Sequence, residues 1–139
     1  MALSADTPLS SRGLGNKYRY PVAASATIYQ GSIVMIDSAG YARPAAASVT
    51  NAGCPGIAVA GQDNASGSAG ALFVEVQEGE FLLGCTSVAQ SCVGDIAYAN
   101  SDNAVDETQS SNCPRAGIFR QYVSSTSAWV LMGPHLSNT

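Results

Sequence analysis

The chain contains, at positions 73–83, the run Phe73-Val74-Glu75-Val76-Gln77-Glu78-Gly79-Glu80-Phe81-Leu82-Leu83, in which two apolar segments flank a turn signal. Residues 73–77 alternate, with Val74 and Val76 on one face, and a period of two is typical of a half-buried β-strand. Glu78-Gly79 is a tight-turn signal of the kind found in hairpins. The run therefore predicts two consecutive strands joined by a turn.

The same pattern extends over residues 26–132, where short segments rich in β-branched and aromatic residues alternate with clusters of Gly, Asn, Asp, Ser and Pro. The Gly-rich segment 61–70 lacks the Gly-Lys-Ser/Thr of a phosphate-binding loop and is expected to be a long flexible loop. We predict an all-β fold, a small β-barrel or β-sandwich of about 8 short strands. The predicted strands are Ala26–Gln30, Ser32–Asp37, Gly56–Ala60, Ala71–Gln77, Glu80–Gly84, Gly94–Ala99, Gly117–Val123 and Ala128–Met132.

Two segments of the chain resemble each other and indicate a pseudo-two-fold internal repeat. Gly31-Ser32-Ile33-Val34-Met35-Ile36-Asp37-Ser38 has a counterpart in Gly94-Asp95-Ile96-Ala97-Tyr98-Ala99-Asn100-Ser101. Each is followed by a turn, a loop, a Cys-Pro pair at Cys54 or Cys113, and a strand that begins with Gly-Ile. Two such copies are too few for a solenoid, so we expect two similar halves of one small barrel.

Residues 1–25 differ from the rest and predict an extended N-terminal arm, with residues 26–139 forming a single β-rich domain. Three of the six basic residues lie in the arm against one acid, which gives it a formal charge of +2 and leaves −6 on the remainder. Tyr18, Arg19 and Tyr20 alternate aromatic and basic character, and both types favour interfaces. We expect these three to dock a partner, with Leu14 and Pro21 as flanking contacts, and removal of residues 1–25 to leave the domain folded.

Composition excludes several classes of protein. A net charge of −4 and a pI near 4.6 argue against a nucleic-acid partner, which needs a basic footprint. The longest apolar runs are strand-sized, so no membrane partner is expected. The N-terminus lacks the basic start and apolar core of a secretory signal, which favours folding in a cytoplasm.

Neither a cofactor nor an enzymatic site is expected. The four cysteines, Cys54, Cys85, Cys92 and Cys113, lack zinc-ligand spacing. Sequence does not choose among their three possible disulfide pairings, and burial as free apolar thiols is favoured. A nucleophilic triad would need His135, the single histidine, which lies near the end of the chain.

The ordered series of motifs resembles the small capsid decoration (cement) proteins of tailed bacteriophages, whose members repeat "G-D-x-V", "G-I-A" and "V-G-D-x-V-Y". The resemblance covers about residues 26–132 and rests on several segments. These are Gly31-Ser32-Ile33-Val34, Gly56-Ile57-Ala58, Ala71–Gly79, Val93-Gly94-Asp95-Ile96-Ala97-Tyr98, Ala116-Gly117-Ile118 and Trp129-Val130-Leu131-Met132.

The resemblance implies a β-rich virion protein that forms a homotrimer on the outer capsid surface at three-fold and quasi-three-fold positions. It implies that the partner is the major capsid protein, whose neighbouring subunits the trimer cements, and that the chain is made in the host cytoplasm. The cysteines, the longer arm and the extended loops at 61–70 and 101–114 depart from the family pattern.

Two other functions remain open from the sequence. A carbohydrate- or surface-binding β module of a tail fibre or adhesion protein would use exposed aromatics, for which Tyr41, Tyr98 and Tyr122 are candidates. A hydrolase would need a pocket built around His135.

Overall fold

The computed structural model describes residues 2–46, 53–109 and 113–133, and the fold is nearly all β. The predicted all-β barrel class is confirmed, and each of the eight predicted strands has a counterpart. The strands of the described residues are β1 (Ser11–Arg12), β2 (Lys17–Pro21), β3 (Ala26–Ile28), β4 (Ile33–Ile36), β5 (Ala42–Pro44), β6 (Gly53–Ala58), β7 (Gln62–Asn64), β8 (Phe73–Gln77), β9 (Gly79–Cys85), β10 (Ile96–Ser101), β11 (Ala104–Asp106), β12 (Arg115–Ser124) and β13 (Ser127–Met132). A single 3-10 turn spans Gln90–Cys92.

The strands form two units with the same connectivity. In the second unit, β9, β11, β10, β12 and β13 pair in that cyclic order and close a five-stranded barrel. In the first unit, β5, β4, β6, β8 and β2 pair in the corresponding order, and the isolated parallel bridge between Val22 and Ala42 links the two ends. A parallel contact between β6 and β12 joins the units.

The internal repeat predicted from sequence holds at the level of single hydrogen bonds. Gly31 N–H donates to Ala58 O at 3.0 Å, and Gly94 N–H, at the equivalent position of the second copy, donates to Phe119 O at 2.8 Å. Both glycines have positive φ, +87° and +91°. The Val22–Ala42 bridge likewise matches the parallel pair of Cys85 and Val105. Equivalent positions are 63 residues apart at 22 and 85, 31 and 94, and 42 and 105, and 61 apart at 58 and 119.

The core has two clusters, and β4 lies between them. Val34 points into the smaller cluster, around Val22, Val74 and Val76, while Ile33 and Met35 point into the larger one, around Phe119. Because both faces of β4 are buried, its sequence is a continuous apolar run instead of an alternating one. The expected burial of the cysteines is observed, since Cys54, Cys85, Cys92 and Cys113 are all at most 8% exposed.

The two strands of the run at 73–83 are confirmed, but they do not form a hairpin. The two edges of β8 pair with β2 and β6, whereas β9 pairs with β13 on one edge and with β1 and β11 on the other. No edge of either strand is left for the other, so Glu78 crosses from one unit to the next.

The strands that the sequence did not predict are short or polar and depend on partners distant in the chain. They are β1, β2, β5, β7 and β11. The predicted flexible loop at 61–70 contains β7, which pairs with β3. Asn64 fixes it further, because its buried side-chain amide donates to Ala23 O and Ser68 O, both at 3.0 Å.

Residues of the predicted arm lie within the sheet. β1 pairs with β9, β2 pairs with β8, and Val22 and Ala23 are buried in the smaller cluster. Removal of residues 1–25 would take two strands and two core side chains with it, contrary to the expectation that the rest would stay folded.

Candidate docking edge

The five predicted docking residues lie along one strand and the turn before it. Leu14, in the turn, is 55% exposed and Tyr18, on β2, is 48% exposed. Arg19 is also exposed, whereas Tyr20 and Pro21 are partly buried. The structure thus leaves Leu14, Tyr18 and Arg19 exposed, whereas Tyr20 and Pro21 are partly covered.

Antiparallel pairing with β8 fixes the orientation of β2. Lys17 lies opposite Gln77, Tyr18 opposite Val76 and Tyr20 opposite Val74. The preceding turn is held by Gly15 N–H, which donates to Glu78 O at 2.9 Å. Tyr20 packs against the smaller cluster, and this burial raises the pKa of its hydroxyl above the ordinary value.

The outward face of the strand carries a cation over an aromatic ring. The Arg19 guanidinium carbon lies 5.0 Å from the centroid of the Phe73 ring, and Phe73 is itself 46% exposed. This geometry holds the guanidinium over the ring face while both groups remain accessible. Arg and large aromatics are the residue types that most often dominate binding energy at protein interfaces.

Among the described residues, β2 pairs only with β8, so its other edge is open. Val22 N–H donates to Leu72 O at 2.9 Å, and main-chain groups of an antiparallel strand alternate in direction. Tyr18 and Tyr20 therefore direct their main-chain groups to β8, and Lys17 and Arg19 direct theirs outward. We call this side of Lys17–Arg19 the docking edge.

The docking edge carries two cations, Lys17 and Arg19, that lie outside the close ion pairs of the described residues. The ion pairs within the described ranges join Arg12 and Arg120 to Glu80, and Arg43 to Asp37. Neither Lys17 nor Arg19 has a described carboxylate within 4.0 Å. Glu75 lies opposite Arg19 in the register with β8, whereas Lys17 lies opposite the uncharged Gln77. A partner carboxylate beside Lys17 would therefore add an attraction that the cross-strand neighbour does not supply.

A second exposed apolar feature was not predicted from the sequence. A groove of about 350 Å³ lies beside Ile118 and Leu131 and is lined by glycines from four separate parts of the chain, among them Gly13, Gly79 and Gly117. Elsewhere on the second unit, the Arg12 guanidinium carbon lies 4.0 Å from the centroid of the Trp129 ring. Because these residues are scattered in sequence, no local motif indicates the groove.

The three tyrosines suggested for carbohydrate binding are all partly buried. Tyr41 packs against the smaller cluster and Tyr122 against the larger one, while Tyr98 is on β10. The structure therefore does not gather them on one surface.

The residues considered for catalysis or metal binding are His135 and the four cysteines. His135 lies outside the described residues. Within the described ranges, no three His, Cys, Asp or Glu side chains are placed to hold a metal ion. Among the acidic residues, Glu80 pairs with Arg12 at 2.6 Å and Glu78 accepts the Asn16 N–H at 3.3 Å. No helix in the described part of the chain has the length and apolar character to cross a membrane.

Comparison of the chain with protein-family models, with curated proteins and with solved structures gives no match.

Proposed function

We propose that this chain is a virion structural protein that binds the outer surface of a phage capsid and cements neighbouring major capsid subunits. In this proposal it acts as a homotrimer at three-fold or quasi-three-fold positions. The observation that carries the proposal is the docking edge, an open strand with Tyr18 and Arg19 exposed beside Leu14. The series of strand and turn motifs shared with decoration proteins supports the same function.

The distribution of charge and binding groups suits attachment to a repeated protein lattice. Each protomer offers one short edge, which by itself gives weak binding. Three edges on one closed trimer engage the lattice together, so the effective concentration of the second and third contacts is high. The arrangement requires no chemistry at the site beyond main-chain pairing, an aromatic contact and charge complementarity.

Particles of the phage whose genome encodes this chain provide the direct test. After density-gradient purification, we expect mass spectrometry to find the chain in an amount comparable to the major capsid protein. A phage deleted for the gene and complemented with Tyr18→Ala should retain less protein on its heads than one complemented with the wild type. Val123→Ala is the matched control, because Val123 is 49% exposed but lies on β12.

Absence of the chain from purified heads would contradict the proposal. Light scattering measures the assembly separately, with the trimer expected at three times the chain mass of 14.1 kDa. Glycan binding by a persistent monomer, without attachment to heads, would favour the carbohydrate-binding module instead.

A further inference from the structure

The internal repeat gives the docking edge a counterpart whose occupant is visible. Position 18 of β2 corresponds to position 81 of β9, by the same spacing of 63 that relates Val22 to Cys85. The cross-strand registers agree, since Pro21 lies opposite Phe73 as Gly84 lies opposite Ser127. The segment that pairs with this edge of β9 therefore indicates what kind of segment would fit on the open edge of β2.

On β9, the edge equivalent to the docking edge is covered by β1. Ser11 lies opposite Phe81 and Arg12 opposite Glu80, in antiparallel register. Leu82 N–H donates to Ser10 O at 3.0 Å. Arg19, the counterpart of Leu82, directs its N–H outward, and none of the described strands reaches it. Among residues 2–46, 53–109 and 113–133, the first unit thus has no counterpart of the short strand that completes the second.

The side chains show the consequence of that missing strand. Phe81 is only 4% exposed, and Leu9, just before β1, packs against the same cluster. Tyr18, the counterpart of Phe81, is 48% exposed. The difference does not come from the cross-strand neighbours, because Tyr18 lies opposite the buried Val76 and Phe81 lies opposite the buried Val130. An apolar side chain placed as Leu9 is placed in the second unit would cover the Tyr18 ring.

Charge specifies the occupant further. Arg12 of β1 binds Glu80 with Nε 2.6 Å from Oε2, and the position equivalent to Glu80 is Lys17. The strand on the docking edge should therefore carry a carboxylate where β1 carries Arg12. A second copy of β1 would place Arg12 against Lys17. A second copy of β2 would oppose like charges across an edge that also contains Pro21, a combination that discourages edge-to-edge pairing.

We propose that the docking edge binds an extended acidic segment of a partner protein as an added antiparallel strand. The segment pairs with the outward main-chain groups of Lys17 and Arg19, covers Tyr18 with an apolar side chain and sets a carboxylate against Lys17. This is strand addition at an open sheet edge, in which main-chain bonds supply affinity and side chains supply selectivity. The inference rests on the proposed function in one respect, since the docking edge is also the surface proposed to contact the capsid.

The chain itself supplies the probe. Two peptides are compared, one with the sequence of residues 7–14 (Thr7-Pro8-Leu9-Ser10-Ser11-Arg12-Gly13-Leu14) and one identical except for Arg12→Glu. We expect the Arg12→Glu peptide to bind the full-length protein at least about fivefold more tightly, the size of effect of replacing repulsion by attraction at an exposed pair. Lys17→Glu protein should reverse this preference.

Two variants of one residue separate main-chain pairing from side-chain charge. Arg19→Pro removes the outward N–H and leaves the bonds to β8 intact, because Arg19 directs its main-chain groups away from β8, and proline is tolerated on edge strands. We expect it to abolish peptide binding, whereas Arg19→Ala weakens binding only a few fold. Thermal melting shows that each variant is folded, and hydrogen exchange at the Arg19 amide should slow on binding while that at Leu82 is already slow.

Equal binding of the two peptides would overturn the acidic specificity, and binding by Arg19→Pro as strong as that of wild type would overturn strand addition. Failure of both peptides to bind, with the protein still attached to phage heads, would overturn this inference and leave the proposed function standing. Self-association lost in Lys17→Glu would identify a second copy as the occupant and would also overturn it.

Discussion

The glycines of the two Gly-Ile pairs provide a quantitative test of the internal repeat. A Cβ added to Gly117 would lie 2.1 Å from Leu131 O, and one added to Gly56 would lie 2.2 Å from Gln77 O. Leu131 is on β13 and Gln77 on β8, which are equivalent strands of the two units. The backbone of the neighbouring strand thus makes the same close approach twice. Gly117→Ala and Gly56→Ala should therefore destabilise the protein by similar amounts.

The geometry sets the size of the effect. Cβ atoms essentially never approach another heavy atom closer than 3.0 Å, so the Leu131 carbonyl must retreat by roughly 0.9 Å. Such a shift overstretches at least one hydrogen bond between β12 and β13, worth about 1 kcal/mol. Overpacking adds about 1–3 kcal/mol. We expect a loss of about 3 kcal/mol in the free energy of unfolding for each variant, a large share of the ~5–15 kcal/mol typical of a domain.

Urea unfolding followed by circular dichroism measures these losses, with the m-value checked for constancy. Gly40→Ala is the control, because Gly40 has a φ of +90° but open space around its Cβ position. That variant should lose only about 1–2 kcal/mol, the cost of a left-handed alanine. If Gly117→Ala and Gly56→Ala stay within about 0.5 kcal/mol of wild type, the close approach is wrong. If only one is destabilised, the equivalence of the two units is wrong.

Three further measurements address other parts of the fold. Val22→Ala should lower the free energy of unfolding by about 2 kcal/mol, because Val22 is fully buried in the smaller cluster. A urea midpoint unchanged from wild type would show that this end of the predicted arm lies outside the fold. Burial raises the pKa of the Asp102 carboxyl, and hydrogen bonds from Leu3 N–H at 2.9 Å and the Ser32 hydroxyl at 3.4 Å offset part of this rise. Because the net pKa is raised, the folded state binds the proton more tightly than the unfolded state does. The stabilisation from this protonation is therefore fully present below pH 3.8 and is lost as the pH rises through the raised pKa of Asp102. Asp102→Asn should remove this fall in melting temperature with rising pH. An identical pH dependence in the variant and the wild type would contradict the assignment. Burial also raises the pKa of Cys85 to about 12, and the other three thiols are buried too. At pH 8 the folded protein should therefore react with a thiol reagent orders of magnitude more slowly than the urea-unfolded chain. Comparable rates would contradict the buried, reduced state.

The position of Asp102 shows how side chains from distant segments assemble in this fold. The residue lies in the turn between β10 and β11, yet its main-chain oxygen accepts Ile33 N–H at 2.8 Å from β4. Its carboxylate reaches Leu3 near the N-terminus. A turn of the second unit is thereby joined to the first unit and to the start of the chain, a connection that the polar sequence around Asp102 does not predict.

The candidate docking residues were predictable as a group but not as a surface. The alternation of Tyr18, Arg19 and Tyr20 indicated interface character, and the structure places these residues on one strand. Which of them are accessible depends on β8, because pairing turns Tyr20 to the core and leaves Arg19 outside. The edge is open because, among the described strands, β8 alone pairs with β2. Which strands pair with β2 is a property of the whole sheet and not of the local sequence.

Local pattern in the sequence by itself determined the all-β class, eight of the strands and the repeat that relates Gly31 to Gly94. These features follow from side-chain periodicity and turn residues, which act over a few positions. Only the tertiary structure decided that β8 and β9 separate into different units, that β1 covers Phe81 and that no described strand covers Tyr18 in the same way. The physical reason is that a strand has two edges, and which distant segment occupies each edge depends on competition among all the strands of the folded chain.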